Sequence, residues 1–209
     1  MNKGVFIAIE GIDGSGKTKT IKTLSNFLNI KKIKHIITAE PTKDPIGKIL
    51  REYLIKNEGK RDPTLEALLF ATDRYSHFQK IILPALKNNQ LVITDRYKYS
   101  SFVYQNQEEQ KHGDITFNQW VKSINLFSPD ADLNIFLDVN PEICLKRLKQ
   151  SKRKQMSIME NKEILFKNYK LYQNFVNQGK LIPIDGTQPP NIIVEQIFSI
   201  YQKYKKQKY

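Results

Sequence analysis

The sequence predicts an α/β fold in which a five-stranded parallel sheet carries helices on both faces. Short apolar, β-branched segments alternate with longer segments of helical periodicity, and this alternation is typical of parallel strands joined by helices. Several of the short segments are hydrophobic almost throughout, as expected of strands that are covered on both faces. The predicted strands are residues 5–10, 35–38, 91–94, 133–139 and 181–184.

Helical periodicity fills most of the intervals between these strands. Apolar side chains repeat at helical spacing in residues 160–178 and again in residues 193–204. Between residues 64 and 88, we expect Pro84 to kink or end a helix, because proline lacks the N–H and clashes with the preceding turn. The basic stretch 150–158, QSKRKQMSI, has no apolar period, so we expect a mobile loop between two helices there.

Length and composition favour one globular domain. The 209 residues suit a single domain spanning 1–209, and the contents of 40% hydrophobic and 26% charged residues are ordinary. No apolar run approaches the ~18 residues that a membrane span needs, so no membrane partner is expected. The chain starts without a secretory signal, and its one cysteine, Cys144, cannot form an internal disulfide. We therefore expect a cytoplasmic protein.

A phosphate-binding motif follows the first predicted strand. Residues 11–18 read GIDGSGKT, which fits G-x-x-x-x-G-K-[ST] without a mismatch. Glycines in this loop let the backbone N–H groups converge on an anion, and the dipole of the following helix reinforces the site. The motif predicts that a bound nucleotide, which the resemblance described below identifies as ATP, contacts Gly11, Gly14, Ser15, Gly16, Lys17, Thr18 and Thr20. Lys17 would reach the β- and γ-phosphates, and Thr18 would ligate Mg²⁺.

An acidic residue ends the third predicted strand. Asp95 follows four apolar residues in LVITD, and a P-loop enzyme needs such an acid at the end of a neighbouring strand. Its carboxylate would hold Mg²⁺ together with Thr18, either directly or through water. In isolation, an aspartate at this place would cap the next helix.

Three further stretches narrow the assignment. They are EPTKDPIGKILREYL (40–54), LLFATDRYSH (68–77) and DRYKYSSFVYQ (95–105). In this order and spacing, together with the P-loop and IDGTQP (184–189), they resemble the thymidylate kinases over essentially the whole chain. The resemblance implies a P-loop kinase fold with a short LID, ATP and Mg²⁺ as cofactors, and phosphorylation of dTMP to dTDP.

The resemblance also implies a set of residues around the acceptor base. Phe70 matches the aromatic residue that stacks on thymine, and stacking alone gives affinity with little choice of base. Arg74, one turn further along the helix, matches the donor to thymine O4, which would reject cytosine. Ser100 and Ser101 match small polar residues that line the edge of the base.

A second set implied by the resemblance concerns the sugar and the acceptor phosphate. Asp13 matches the acid that contacts the 3′-hydroxyl, and Tyr104 matches the aromatic residue that crowds the 2′ position. Arg96 matches the arginine that grips the acceptor phosphate, for which a bidentate guanidinium is well suited. Arg51 and Lys43 would assist with that phosphate.

The resemblance also implies roles for two arginines near ATP. Arg147 matches the residue that stacks on adenine. Some thymidylate kinases carry a catalytic arginine in the P-loop, where this chain has Gly14, and others carry it in the LID. Arg153 is the only arginine in residues 150–158, so we expect it to be catalytic. The predicted catalytic set is Lys17, Asp95, Arg96 and Arg153.

Two alternatives stay open at this point. A deoxynucleoside kinase would use Glu40, here counted among the acceptor-binding residues, as a base for a sugar hydroxyl. A nucleic-acid-binding P-loop protein is suggested by the net charge of +13, although the sequence shows no clear basic groove. The favoured partners are therefore dTMP and ATP, with no stable nucleic-acid partner. The family resemblance also predicts a homodimer, for which apolar positions on residues 64–88 would serve.

Overall fold

A five-stranded parallel sheet forms the centre of the molecule. The computed structural model describes residues 4–107, 110–150 and 162–208. In chain order the strands are β1 (Phe6–Glu10), β2 (His35–Ala39), β3 (Leu91–Asp95), β4 (Lys111–His112), β5 (Ile115–Thr116), β6 (Leu133–Asp138) and β7 (Ile182–Asp185). The central sheet has the order β2-β3-β1-β6-β7, and β4 and β5 form a separate antiparallel pair. The predicted α/β class and the five predicted strands are confirmed.

Helices cover both faces of this sheet. They are α1 (Lys17–Ile30), α2 (Pro45–Lys56), α3 (Pro63–His77), α4 (Leu83–Lys87), α5 (Lys98–Tyr104), α6 (Phe117–Ile124), α7 (Pro141–Gln150), α8 (Lys162–Asn177) and α9 (Pro190–Lys208). On one face, Ile7 and Ile9 of β1 pack with α1 and α9. On the other face, Phe6 and Ala8 pack with α4 and the segment before it. Alternate residues of one strand are therefore buried on opposite faces, which explains the continuous hydrophobicity of β1.

The helical segment that contains Pro84 breaks before the proline. Residues 78–82 form a π-helical turn between α3 and α4. Pro84 then lies in the first turn of α4, where its missing N–H leaves no hydrogen bond unmade. The interruption predicted at Pro84 is thus shifted towards the N-terminus, into the π-helical turn.

The order of the strands creates a crevice at their carboxyl ends. β1 and β3 are neighbours, with Ile9 beside Asp95. The chain leaving β1 leads to β2 on one side, whereas the chain leaving β3 leads to β6 on the other side. Adjacent strands whose connections diverge leave a binding crevice between them. The P-loop and the segment from Asp95 onward therefore border one crevice.

Two further expectations from the sequence concern membrane-spanning helices and the predicted LID. Among the described residues, none of the helices combines the length and apolar character that crossing a membrane requires. The predicted LID at 150–158 falls outside the described residues from position 151 onward. The assignment of a LID, and of one domain spanning 1–209, therefore stays a prediction.

Candidate active site

The P-loop needs its glycines for both conformation and space. Gly11, Gly14 and Gly16 have positive φ angles of 150°, 83° and 96°, and such angles favour glycine. A Cβ atom on Gly14 would lie 2.6 Å from the carbonyl oxygen of Cys144. Gly16 precedes the first residue of α1. The loop can therefore turn sharply from β1 into the helix and present its N–H groups to an anion.

Lys17 is a buried cation beside the P-loop backbone. Its Nζ donates hydrogen bonds to the carbonyl oxygens of Gly11 at 2.9 Å and Ile12 at 3.0 Å. Burial, together with the nearby positive charge of Arg96, lowers the pKa of Lys17 from 10.5 to about 8. A phosphate group in the crevice would favour the charged form of this side chain.

Thr18 and Asp95 meet at the end of the crevice. The Thr18 hydroxyl lies 3.4 Å from Asp95 Oδ2. The other carboxylate oxygen, Oδ1, is buried and has no hydrogen-bond partner among the described residues. One carboxylate and one hydroxyl, with phosphate oxygens of a nucleotide, are the donors that Mg²⁺ takes in kinase sites. The residues present therefore fit the predicted Mg²⁺ site.

Arg96 gathers several predicted site residues around its guanidinium. Its φ angle of 71° places it in the left-handed region, which is uncommon for a residue with a side chain. The guanidinium donates to Asp13 at 2.6 Å, to the Tyr104 hydroxyl at 3.1 Å and to Ser100 Oγ at 3.1 Å. It also lies 4.6 Å from the centre of the Tyr104 ring. The structure thus brings four predicted acceptor-site residues into direct contact.

The charges in this cluster set the ionisation of its acid. Burial alone would raise the pKa of Asp13, but the charges of Arg96 and Lys17 together hold it below its usual value. Burial raises the pKa of the Tyr104 hydroxyl far above its usual range. That hydroxyl donates to Asp13 at 3.1 Å. Asp13 is therefore a carboxylate held between a cation and a phenol.

A cavity of about 240 Å³ lies beside this cluster. Its walls include predicted residues from the P-loop, the loop after β2, α3 and α5: Asp13, Glu40, Phe70, Arg96, Ser100, Ser101 and Tyr104. Two polar atoms of the wall, Ser101 Oγ and Gln105 Oε1, are buried without a hydrogen-bond partner among the described residues. Buried polar atoms in a cavity wall can serve a polar ligand. Ser101 was predicted, whereas Gln105 was missed although it ends the quoted stretch DRYKYSSFVYQ.

Arg74 and Glu40 form a buried ion pair. Arg74 is 1% exposed, and its guanidinium lies 2.7 Å from Glu40 Oε2 and donates to Asn125 Oδ1 at 2.6 Å. His77 Nδ1 lies 3.0 Å from the other oxygen of Glu40. Arg74 does not line the described cavity wall, so its contact with a base stays a prediction. The carboxylate of Glu40 is engaged by two side chains.

Two residues that were predicted to assist with the acceptor phosphate lie outside the walls of the acceptor cavity. Arg51 donates to the backbone carbonyls of Pro41 and Thr42, and so holds the loop after β2. Lys43 is exposed in that loop, and neither Arg51 nor Lys43 lines the cavity. Of the predicted phosphate-binding residues, Arg96 alone lies in the wall of the described cavity.

A second cavity lies on the other side of the P-loop. It measures about 470 Å³ and includes Ser15, Thr20 and Arg147 in its walls. Arg147 donates to the carbonyl oxygens of Gly14, Ser15 and Gly186 at 3.3 to 3.4 Å. The guanidinium therefore lies beside the P-loop, and its contact with adenine stays a prediction.

An opening of about 670 Å³ lies above the P-loop and shares lining residues with both cavities, Arg96 with the first and Arg147 with the second. It is lined by residues of both sides, which include Asp13, Lys17, Thr18, Asp95, Arg96 and Arg147. Arg153, the predicted LID arginine, lies outside the described residues. Among the predicted catalytic residues that are described, Lys17, Asp95 and Arg96 thus border one opening between two cavities.

Two buried carboxylates, Glu66 in the wall of the acceptor cavity and Glu10 behind the site, were not predicted. Glu10, the last residue of β1, is fully buried and accepts hydrogen bonds from Tyr97, Ser100 and Tyr172. It is the only charged residue in VFIAIE. That isolated charge at the end of an apolar strand was the available signal.

Comparison with known proteins agrees with this geometry. The family model described as Thymidylate kinase matches residues 9–197. The thymidylate kinase of Lactobacillus acidophilus is 35% identical over 205 residues, covering 93% of this chain and 92% of its own length. The probable thymidylate kinase of Methanococcus aeolicus is 42% identical over 186 residues, covering 89% and 85%. The thymidylate kinase of Clostridium novyi is 31% identical over 207 residues, covering 94% of this chain and 98% of its own length. The chain therefore belongs to the thymidylate kinase family.

Proposed function

We propose that this protein transfers the γ-phosphoryl group of ATP to dTMP, giving dTDP and ADP. The observation that carries the proposal is the opening above the P-loop, because it shares Arg96 with the cavity beside Phe70 and Arg147 with the second cavity. Lys17 and Arg96 border that opening. A donor and an acceptor bound in these cavities would meet with their phosphates between two cations.

The acceptor needs no general base. The second pKa of a phosphate monoester is about 6, so a dTMP oxygen is largely deprotonated at neutral pH. Catalysis then consists of alignment and neutralisation of charge. Glu40, the base that a deoxynucleoside kinase would require, is engaged by Arg74 and His77. This arrangement favours an acceptor that already carries a phosphate.

On the donor side, the P-loop N–H groups and Lys17 would bind the β- and γ-phosphates, and Arg147 would face the adenine. Thr18 and Asp95 would hold Mg²⁺, since Asp95 Oδ1 is buried without a partner among the described residues. Bound Mg²⁺ would neutralise charge on the phosphate oxygens. Arg153 would supply a further positive charge, as the sequence predicts.

On the acceptor side, Phe70 would stack on thymine and Ser101 would meet the edge of the base. Asp13 would accept a hydrogen bond from the 3′-hydroxyl, a role supported by the charges that keep it ionised. Tyr104 would exclude a 2′-hydroxyl. Arg96 would bind the acceptor phosphate, since it lines both the acceptor cavity and the opening.

The assembly we propose is a homodimer formed through α3. Leu65, Leu68 and Tyr75 of α3 are 44%, 42% and 48% exposed, and Ile49 and Ile55 of the adjacent α2 are 59% and 75% exposed. Large apolar side chains grouped on one surface favour association. We place the enzyme in the cytoplasm, because a single cysteine, which cannot form an internal disulfide, suits a reducing compartment.

The experiment that tests the proposed function is a coupled ADP-release assay across nucleoside monophosphates. We expect dTMP to have the highest kcat/KM, dCMP to be turned over poorly, and the ribo analogue of dTMP to be disfavoured. A panel in which dTMP is not turned over, or is no better than dCMP, would contradict the proposal.

A further inference from the structure

Glu10 places a carboxylate at the junction of β1, the P-loop and α5. Its side chain is fully buried. Oε1 accepts hydrogen bonds from the backbone N–H groups of Tyr97 at 2.9 Å and Ser100 at 3.3 Å. Oε2 accepts from the Ser100 hydroxyl at 2.6 Å and the Tyr172 hydroxyl at 3.0 Å. Oε1 therefore binds backbone N–H groups, and Oε2 binds side-chain hydroxyl groups.

The Ser100 hydroxyl links Glu10 to Arg96. A serine hydroxyl has one hydrogen and two lone pairs. Its hydrogen bond to Glu10 is the shortest that it makes, at 2.6 Å, and it accepts from Arg96 Nη1 at 3.1 Å. Donation to the carboxylate turns a lone pair of Ser100 towards the guanidinium. The negative charge of Glu10 thus fixes the direction in which Ser100 accepts.

Glu10 does not touch the places where substrates would lie. It is absent from the walls of both the acceptor cavity and the opening above the P-loop. Arg96, in contrast, borders both. Glu10 can therefore act on substrates only through the residues that it holds and through its charge, which also affects Arg96 and Lys17.

The burial of this charge is costly for the fold. Burial raises the pKa of Glu10 above its usual value, even though the hydrogen bond from Ser100 and the charge of Arg96 act in the opposite direction. Buried charges are weak evidence for stability, since a whole buried ion pair can often be replaced by well-packed hydrophobic residues without loss. A contribution to the site explains better than a contribution to stability why a carboxylate lies here.

We propose that Glu10 is a positioning residue that orients Arg96, through the Ser100 hydroxyl, towards the phosphate of the acceptor. The inference rests on the proposed function, because that phosphate belongs to the proposed substrate. It assigns Ser100 to the support of Arg96 rather than to contact with the base.

The test replaces the carboxylate with an amide of the same shape. In Glu10→Gln, the amide oxygen can keep both backbone N–H bonds, whereas the NH₂ group faces Ser100 with donors instead of an acceptor. We expect the Kd for dTMP, measured by isothermal titration, to rise about tenfold, which corresponds to about 1.4 kcal/mol. We expect the Kd for thymidine to stay unchanged, because thymidine has no phosphate for Arg96 to bind.

Asp132→Asn is the matched control, because Asp132, just before β6, contacts the first residue of β1, at the opposite end of that strand from Glu10. Asp132 accepts from the backbone N–H of Phe6 at 2.9 Å and also binds Lys208. This variant should leave the Kd of both ligands unchanged, whatever it does to thermal stability. Wild-type turnover of dTMP, measured first, tests the proposed function separately from the inference.

Ser100→Ala tests the link itself and does not depend on the folding of Glu10→Gln. Ser100→Ala should lower the affinity for dTMP and leave the affinity for thymidine unchanged. The double variant Glu10→Gln/Ser100→Ala should bind dTMP no more weakly than either single variant, since the effects of substitutions within one chain of hydrogen bonds do not add. Equal losses for dTMP and thymidine, or no loss for dTMP in either single variant, would overturn the proposal.

Discussion

Lys17 and Arg96 are largely buried cations that meet at the crevice between β1 and β3. Each is held by oxygen atoms of the P-loop or its neighbours. Their mutual repulsion contributes to the lowered pKa of Lys17. The ionisation of Lys17, rather than its position alone, should therefore control how well phosphate binds.

The first prediction concerns pH and ATP affinity. Because the pKa of Lys17 is lowered to about 8, the free protein loses this charge as the pH rises through that value. Bound triphosphate favours the charged form, so the affinity for ATP should fall above about pH 8. Isothermal titration from about pH 7 to about pH 9.5 measures this. Lys17→Arg, which stays charged, should show no such slope; a slope that persists in this variant contradicts the assignment to Lys17.

The second prediction concerns the choice of sugar. The Tyr104 ring lies over Arg96, and we propose that the ring, not its hydroxyl, crowds the 2′ position. Tyr104→Ala should therefore narrow the kcat/KM ratio of dTMP to its ribo analogue by roughly tenfold or more. Tyr104→Phe is the control, since it keeps the ring and should keep the ratio. An unchanged ratio in Tyr104→Ala would remove Tyr104 from sugar selection.

At the scale of residues, the sequence allowed us to predict site residues that belong to a recognisable motif. Asp13, Arg96 and Tyr104 were predicted from the family resemblance, and the structure places them in contact. Glu10 and Gln105 were missed because their partners come from distant parts of the chain, such as Tyr172 and Glu66. A buried polar side chain is defined by those partners, which no local pattern reveals.

At the scale of elements, the P-loop is constrained by α7 as well as by ATP. Gly14 packs directly against the backbone of Cys144 in α7. A side chain at this position would meet a strained φ angle and a backbone atom at the same time. The loop therefore depends on its glycine for packing even before a nucleotide binds.

The third prediction follows from that contact. Gly14→Ala should lower the free energy of unfolding by about 2 kcal/mol or more, because the new Cβ would lie 2.6 Å from Cys144 O. Gly179→Ala is the matched control: its φ is +67°, with nothing within 4 Å of the added Cβ. It should cost only about 1 kcal/mol of backbone strain. Denaturant unfolding measures both, and equal losses would contradict the role of α7.

Elements with a strong local signal were predicted from the sequence. The five sheet strands were found within a residue or so, since apolar β-branched runs mark them. The irregularity expected from Pro84 lies in the turn before it, at 78–82, because proline removes the hydrogen bond to the carbonyl of residue 80 and clashes with that carbonyl. The β4–β5 pair was missed, since two-residue strands carry no periodicity.

At the scale of the whole molecule, the sheet order brings the two halves of the site together. The P-loop follows β1, and the neighbouring strand β3 ends at Asp95, directly before Arg96. The connection through β2 separates these residues widely in sequence, yet the parallel order returns them to one edge. This adjacency follows from the α/β class, which the sequence predicted. The exposure of Lys43 follows from the path of one loop, which the sequence could not give.

The fourth prediction concerns assembly. If α3 forms the proposed dimer interface, Leu68→Glu should yield a monomer, because a charge would be buried against its two-fold copy. Ile30→Glu is the control, since Ile30 is 80% exposed at the end of α1. Sedimentation velocity should show a dimer for the wild type and for Ile30→Glu. A wild-type monomer, or a dimer that survives Leu68→Glu, would contradict the interface.

The central claim is that the acceptor already carries a phosphate. Chromatographic measurement of product formation from dTMP and from thymidine, each with ATP and Mg²⁺, tests it most directly. The account predicts rapid conversion of dTMP to dTDP and little conversion of thymidine, since Arg96 lies in the acceptor cavity and Glu40 is held by Arg74 and His77. Conversion of thymidine to dTMP without formation of dTDP would contradict it.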